Sequence, residues 1–273
     1  MDIGKGRLTS MLTFLLSILA LFASIEGIFN KNLYYELLMA GRLSKSLMIA
    51  SVAQDIISAP LAVVLAVLSI MFWIRPQLKN MIVIIGLAWY FFYAFGLYVI
   101  QGHYTSIYLI YLAIFGLSIY SMIWGMLSLK MDVVKYYQLP RLLVNFIGGF
   151  LIFILLLLVP AWLFRMAPNI ARHIPGETYS VFIMDLCIVF PAFGQIAYRL
   201  FRKQPFGVIM AGIALTKTMT LCLSWAFSHW FSPMYGGVEF ESGLTFISTL
   251  LTLVSLALFI PYMLKIKKEE ALV

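Results

Sequence analysis

A chain of 273 residues that is 63% hydrophobic and 11% charged, with a mean hydropathy of +0.99, carries more apolar surface than a soluble core of that size can hide. Its formal charge of +8 is no nucleic-acid footprint, because 13 of the 19 Lys and Arg residues collect at one set of helix ends, as membrane topology requires. These properties exclude a soluble enzyme and a nucleic-acid partner and point to an all-α polytopic membrane helix bundle, residues 1–273 forming a single integral membrane domain.

A helix needs roughly 20 apolar residues to cross a hydrocarbon core of about 30 Å. Eight segments meet that requirement, near 9–29, 46–73, 80–100, 105–128, 141–165, 180–201, 206–229 and 242–264. The first carries Lys5 and Arg7 ahead of it and reads as a retained helix; the alternative is a cleaved signal peptide, leaving seven helices and an external N-terminus. The loop after it, residues 30–45, holds Leu33, Tyr34, Leu37 and Leu38 and is expected to lie along the interface as a short helix. Basic residues fix the orientation. Lys5, Arg7, Arg75, Lys79, Lys130, Lys135, Arg141, Arg199, Arg202, Lys203, Lys265, Lys267 and Lys268 share one side; Lys31, Arg42, Lys45, Arg165 and Arg172 take the other. Both termini are therefore expected in the cytoplasm and the protein in a cell membrane, the inner or plasma membrane, with the lipid bilayer as its first partner.

The second and sixth segments share a pattern: Asp55, Pro60 and Arg75-Pro76-Gln77 against Asp185, Pro191 and Arg202-Lys203-Gln204-Pro205. Gly86-Leu87-Ala88 and Gly212-Ile213-Ala214 follow, so a parallel 4+4 pseudo-repeat is expected.

Charges inside hydrocarbon are costly and need a reason. Asp55 lies 20 residues before Arg75, roughly 30 Å away, which puts it near the outer interface with Glu26 and in reach of water. Asp185 is 14 residues before Arg199, and Lys217 is 14 residues after Lys203, each about 21 Å from the basic end. Matched depth on neighbouring antiparallel helices predicts an Asp185–Lys217 ion pair. Lys217, Thr220, Ser224 and Ser228 form a polar face running towards His229; Asp185 shares a face with Gln195 and Arg199; Ser51, Asp55 and Ser58 line another. Tyr93 and Tyr111 lie deep enough to wall a pocket, beside Gln54 and Asp55, whereas Tyr90, Tyr104 and Tyr108 read first as core or interfacial aromatics. Pro60, Pro160 and Pro191 interrupt three helices and free backbone carbonyls. The loops 166–180 and 229–243 are placed to cover the mouth of an outward-facing cavity.

Cys187 and Cys222 sit in apolar runs, and His103, His173 and His229 show no HxxxH or HExxH spacing, so neither a disulfide, a metal nor a cofactor is expected. No nucleophile elbow, phosphate-binding loop or dinucleotide turn occurs, and no catalytic residue can be named. Gln54-Asp55 with Pro60, the Tyr90 to Tyr93 region, Leu139-Pro140, Met184-Asp185-Leu186 with Pro191, and the turn from Arg202 to Gly207 resemble an uncharacterised family of bacterial multi-pass membrane proteins. That resemblance implies a membrane location and brings no reaction with it.

The reading that follows is a transporter-like protein, more a binder or carrier of a small solute or ion than an enzyme. Its pocket faces outward, with Asp55, Asp185, Lys217, Tyr93, Tyr111 and Gln54 as the ligand-binding residues. Two alternatives remain. An intramembrane lipid-modifying enzyme requires Asp55 and Asp185 to meet as acid and base. A sensor or assembly subunit, joined to a membrane-protein partner or a second copy, requires only a structural ion pair.

Overall fold

A computed structural model describes residues 1–130 and 137–268. Lys135, one of the orienting basic residues, lies outside the described residues. Among the described residues eight helices are long and apolar enough to cross a membrane, and the protein is a multi-pass membrane helix bundle.

Helix α1 (Ile3–Phe29) starts where the Asp2 side chain accepts a hydrogen bond from the Lys5 N–H at 3.2 Å, a contact that holds the Asp2 carboxyl below its usual range. The Asp2 N–H also donates to the Ser128 carbonyl at 2.7 Å. Helix α2 (Asn32–Met39) is the short helix expected in the first loop, with Leu33, Tyr34 and Leu37 turned inward. Ser44 caps α3 (Lys45–Ile74), which ends ahead of Pro76 because a residue before proline avoids helical backbone angles. Helix α4 (Leu78–Gln101) stops at Gly102, whose φ of 69° is left-handed. Then come α5 (Tyr108–Ser128), β1 (Tyr137–Gln138), α6 (Arg141–Ala171), α7 (Tyr179–Phe201), α8 (Pro205–Gly236), α9 (Ser242–Lys265) and β2 (Lys267–Lys268). The two-residue strands pair antiparallel, Tyr137 opposite Lys268. This ladder and the Asp2–Ser128 bond set the first and last described elements at one face of the bundle.

Helices α4 and α8 are central: 83% and 72% of their most apolar windows are buried, against 22% for α9. The outer helices present Phe14, Val64, Leu156 and Leu253 outward, as hydrocarbon solvent demands. In the first half α1 packs on α3 and α5, and α4 packs on both of those; in the second, α6 packs on α7 and α9, and α8 on both of those. The halves meet where α8 crosses α4 and α3, and where α4 meets the start of α7. A Cβ at Gly86 would run into Thr216 of α8, and one at Gly212 into the ring of Tyr262, so absent side chains let these backbones approach. Small hydroxyls add polar contacts between helices: Thr13 meets Ser69 at 2.8 Å, and Ser10 bonds the Ser69 carbonyl.

Candidate functional site

A cavity of about 360 Å³ opens at the end of the bundle opposite the chain's beginning. Ser46, Arg165, Thr178, Glu239 and Glu241 surround its mouth; Ile154, Leu158, Phe182, Leu221 and Trp225 make its sides. Asp185, Tyr93, Phe193 and Lys217 line its deeper part. The connections expected to cover it do contribute Thr178, Val238, Glu239 and Glu241, although α6 and α8 run farther than their apolar stretches and shorten both loops.

The local shape of α7 positions Asp185. Residues Asp185–Val189 form one π turn, in which the Phe190 N–H reaches back five residues to the Asp185 carbonyl. Pro191 follows; it has no N–H to give, and its ring would crowd the carbonyl four residues earlier in a regular helix. The wide turn absorbs that conflict. One extra residue in a turn rotates the remainder by about 100°, so Asp185 is buried while Gln195 is exposed. The shared face expected from α-helical spacing does not form, and this turn is the reason.

Asp185 Oδ2 accepts a hydrogen bond from Trp162 Nε1 at 2.7 Å, and the Tyr93 hydroxyl neighbours the same carboxylate. Lys217, only 2% exposed, places Nζ over the rings of Tyr93 at 4.7 Å, Phe193 at 5.3 Å and Trp89 at 5.8 Å from their centroids. Among the described residues no acceptor hydrogen-bonds this ammonium. The expected contact ion pair with Asp185 is not made; among the described residues the salt bridge is Lys130 to Asp2, 3.9 Å, at the protein's surface. Both charges line one cavity and feel each other electrostatically, but the ammonium rests on ring faces and does not contact the carboxylate.

The polar face of α8 divides. Ser224, Ser228 and His229 line the cavity with Lys217. Thr220 turns its hydroxyl back to the Thr216 carbonyl at 2.9 Å and belongs to the helix. Gln54 lines the cavity too, its amide donating to the Ala94 carbonyl at 3.0 Å.

Asp55 and Tyr111 lie elsewhere. Height alone put Asp55 in reach of water, but it is 1% exposed, because α2 folds back across it. The hydroxyls of Tyr34 and Tyr98 donate to its two oxygens at 2.6 and 3.1 Å, and Tyr111 meets Tyr34 at 3.4 Å. A Cβ at Gly27 would overlap the carboxylate, so the site depends on glycine there. Burial, then the charge of Asp55, holds the Tyr34 hydroxyl protonated, well above the usual tyrosine range. His103 stacks on Tyr98 at 4.9 Å with neither ring nitrogen hydrogen-bonded, and burial pulls its pKa down to about 4. Asp55 and Asp185 thus sit in separate hydrogen-bonded clusters, and the acid/base pair an intramembrane enzyme would need is not assembled from them.

Spacing did not single out Trp162, Trp89 or Phe193, whose roles arise only from helix packing. Tyr34 and Tyr98 likewise met Asp55 only through the return of α2 and the pairing of α3 with α4. Neither a family model, nor a curated protein, nor a solved structure matches the chain.

Proposed function

We propose that the protein binds a small solute or ion in this cavity and moves it across, or senses it at, the outer face of an inner or plasma membrane, with both termini in the cytoplasm. The observation that supports this reading is a cavity of about 360 Å³ holding two opposite buried charges that do not bond each other. Volumes of this order suit small ligands, and such sites are mostly apolar with a few convergent polar groups. Asp185 and Lys217 supply those groups, Tyr93 and Gln54 flank them, and the Asp55 cluster braces α3 behind the wall. The excess of Lys and Arg at the closed end supports the orientation. A parallel 4+4 duplication accounts for the shared packing order of the halves, with the cavity where they meet.

The test is thermal unfolding of purified protein against a panel of small amino acids, amines and carboxylates. Stabilisation of the parent protein by at least one solute, absent from Asp185→Asn and Lys217→Met, is the expected result. A panel that leaves the parent unchanged, or stabilises all three alike, contradicts the proposal.

A further inference from the structure

Resting on the reading of this cavity as a solute site, we infer that its ligand is a zwitterion with an apolar body, carrying a carboxylate for Lys217 and a protonated amine for Asp185.

Lys217 carries three N–H donors, is 2% exposed, and rests its ammonium on three ring faces, with the Asp185 charge nearby but outside salt-bridge distance. Aromatic faces attract a cation but do not accept its hydrogen bonds as a carboxylate does. An ammonium in such surroundings calls for an anionic acceptor from the cavity side. Asp185 is differently placed: Trp162 donates to Oδ2 and the Tyr93 hydroxyl adjoins the carboxylate, which as a two-oxygen acceptor still has lone pairs facing the cavity for a further donor. The two groups sit on facing helices α7 and α8 and line the same space. Thr218, 3% exposed in that wall, has a hydroxyl without a hydrogen-bond partner and adds a second polar contact.

Charge arithmetic selects among ligand classes. A simple anion would satisfy Lys217 but face Asp185 with like charge in a low-dielectric site; a simple cation has the converse fault. A neutral molecule leaves the ammonium without an anionic acceptor. A zwitterion matches both groups and keeps the site neutral. The sides, formed by Ile154, Leu158, Phe182, Leu221 and Trp225, then hold an aliphatic or aromatic body.

Four probes with one phenyl body separate these cases: L-phenylalanine, 3-phenylpropanoate, 2-phenylethylamine and 3-phenylpropanol. Binding is measured by calorimetry on the full chain in lipid nanodiscs, where thermal unfolding also verifies that each variant is folded. L-Phenylalanine is expected to bind at least about tenfold tighter than the other three, since a hydrogen bond to a charged group is worth that much or more. Lys217→Met should remove its advantage over 2-phenylethylamine, and Asp185→Asn its advantage over 3-phenylpropanoate. Equal binding of all four probes overturns the zwitterion inference and leaves the solute site standing. Binding of none overturns the inference, and the solute site itself is then judged by the wider panel.

Discussion

Trp162 Nε1 lies 2.7 Å from Asp185 Oδ2, so the carboxylate that helps define the cavity is oriented by a helix other than its own or that of Lys217. Trp162→Phe keeps most of the ring packing and removes only the donor. A hydrogen bond to a charged acceptor contributes about 1.5–3 kcal/mol, and a loss of that size is expected in denaturant unfolding. Trp162→Phe with Asp185→Asn should be less than additive. Full additivity would show that the bond does not position the carboxylate.

Lys217 and Asp185 separate a structural role from a functional one. Buried charges replaced together by neutral residues of similar size often leave stability unchanged or raised by about 1–4 kcal/mol. The Asp185→Asn, Lys217→Met double variant should therefore unfold no earlier than the parent protein while losing solute binding. A double variant that is markedly less stable would mark the pair as a packing device and return the reading to an assembly subunit.

The π turn in α7 can be removed. Deleting Ile188, which faces outward, restores regular helical spacing and rotates Asp185 relative to the remainder of α7 by about 100°. Expression should survive, and the dependence of binding on Asp185 should vanish. Unchanged binding that still needs Asp185 would show that the turn does not aim it.

Gly27 carries the second cluster. Gly27→Ala inserts a methyl group where Asp55 Oδ2 sits and should release the Tyr34 hydroxyl, loosening α2. Tyr34→Phe tests the same bond more gently, at about 1–3 kcal/mol for a buried acceptor left short of a donor. Limited proteolysis between residues 30 and 45 should accelerate in both variants.

His103 makes stability depend on pH. Its imidazole is pulled down to about 4 from 6.5 in the folded protein, so below 6.5 the unfolded chain takes up a proton that the folded one refuses. This contribution to stability is fully present above pH 6.5, is lost progressively as pH falls from 6.5 towards 4, and amounts to roughly 3 kcal/mol at most. His103→Phe should flatten that part of the stability curve, measured as unfolding midpoint against pH. The same slope in both proteins would assign the effect to another group.

The eight spans were legible because hydrocarbon leaves so few options: a crossing segment needs length, apolarity and internally satisfied backbone. Counting residues from the basic ends was enough to bring Asp185 and Lys217 to one level. It could not foresee that the ammonium would rest on three rings from α4 and α7, nor the π turn, which changes the face of Gln195 without a cue beyond Pro191. Asp55 was misplaced for a related reason. Height along α3 was read correctly, but exposure at that height is decided by α2, whose Tyr34 folds over the carboxylate.

Solvent access to the cavity wall one helical turn from Lys217 tests the central claim most directly. In a Cys187→Ala, Cys222→Ala background, Leu221→Cys faces the cavity and Leu223→Cys faces outward from the bundle. Only an ionised thiol reacts rapidly, and ionisation needs water. A charged, membrane-impermeant methanethiosulfonate applied to the face opposite the N-terminus should modify Leu221→Cys and spare Leu223→Cys, with Lys217→Met leaving access intact. Equal protection of both positions from that face would contradict an outward-open cavity reaching Lys217.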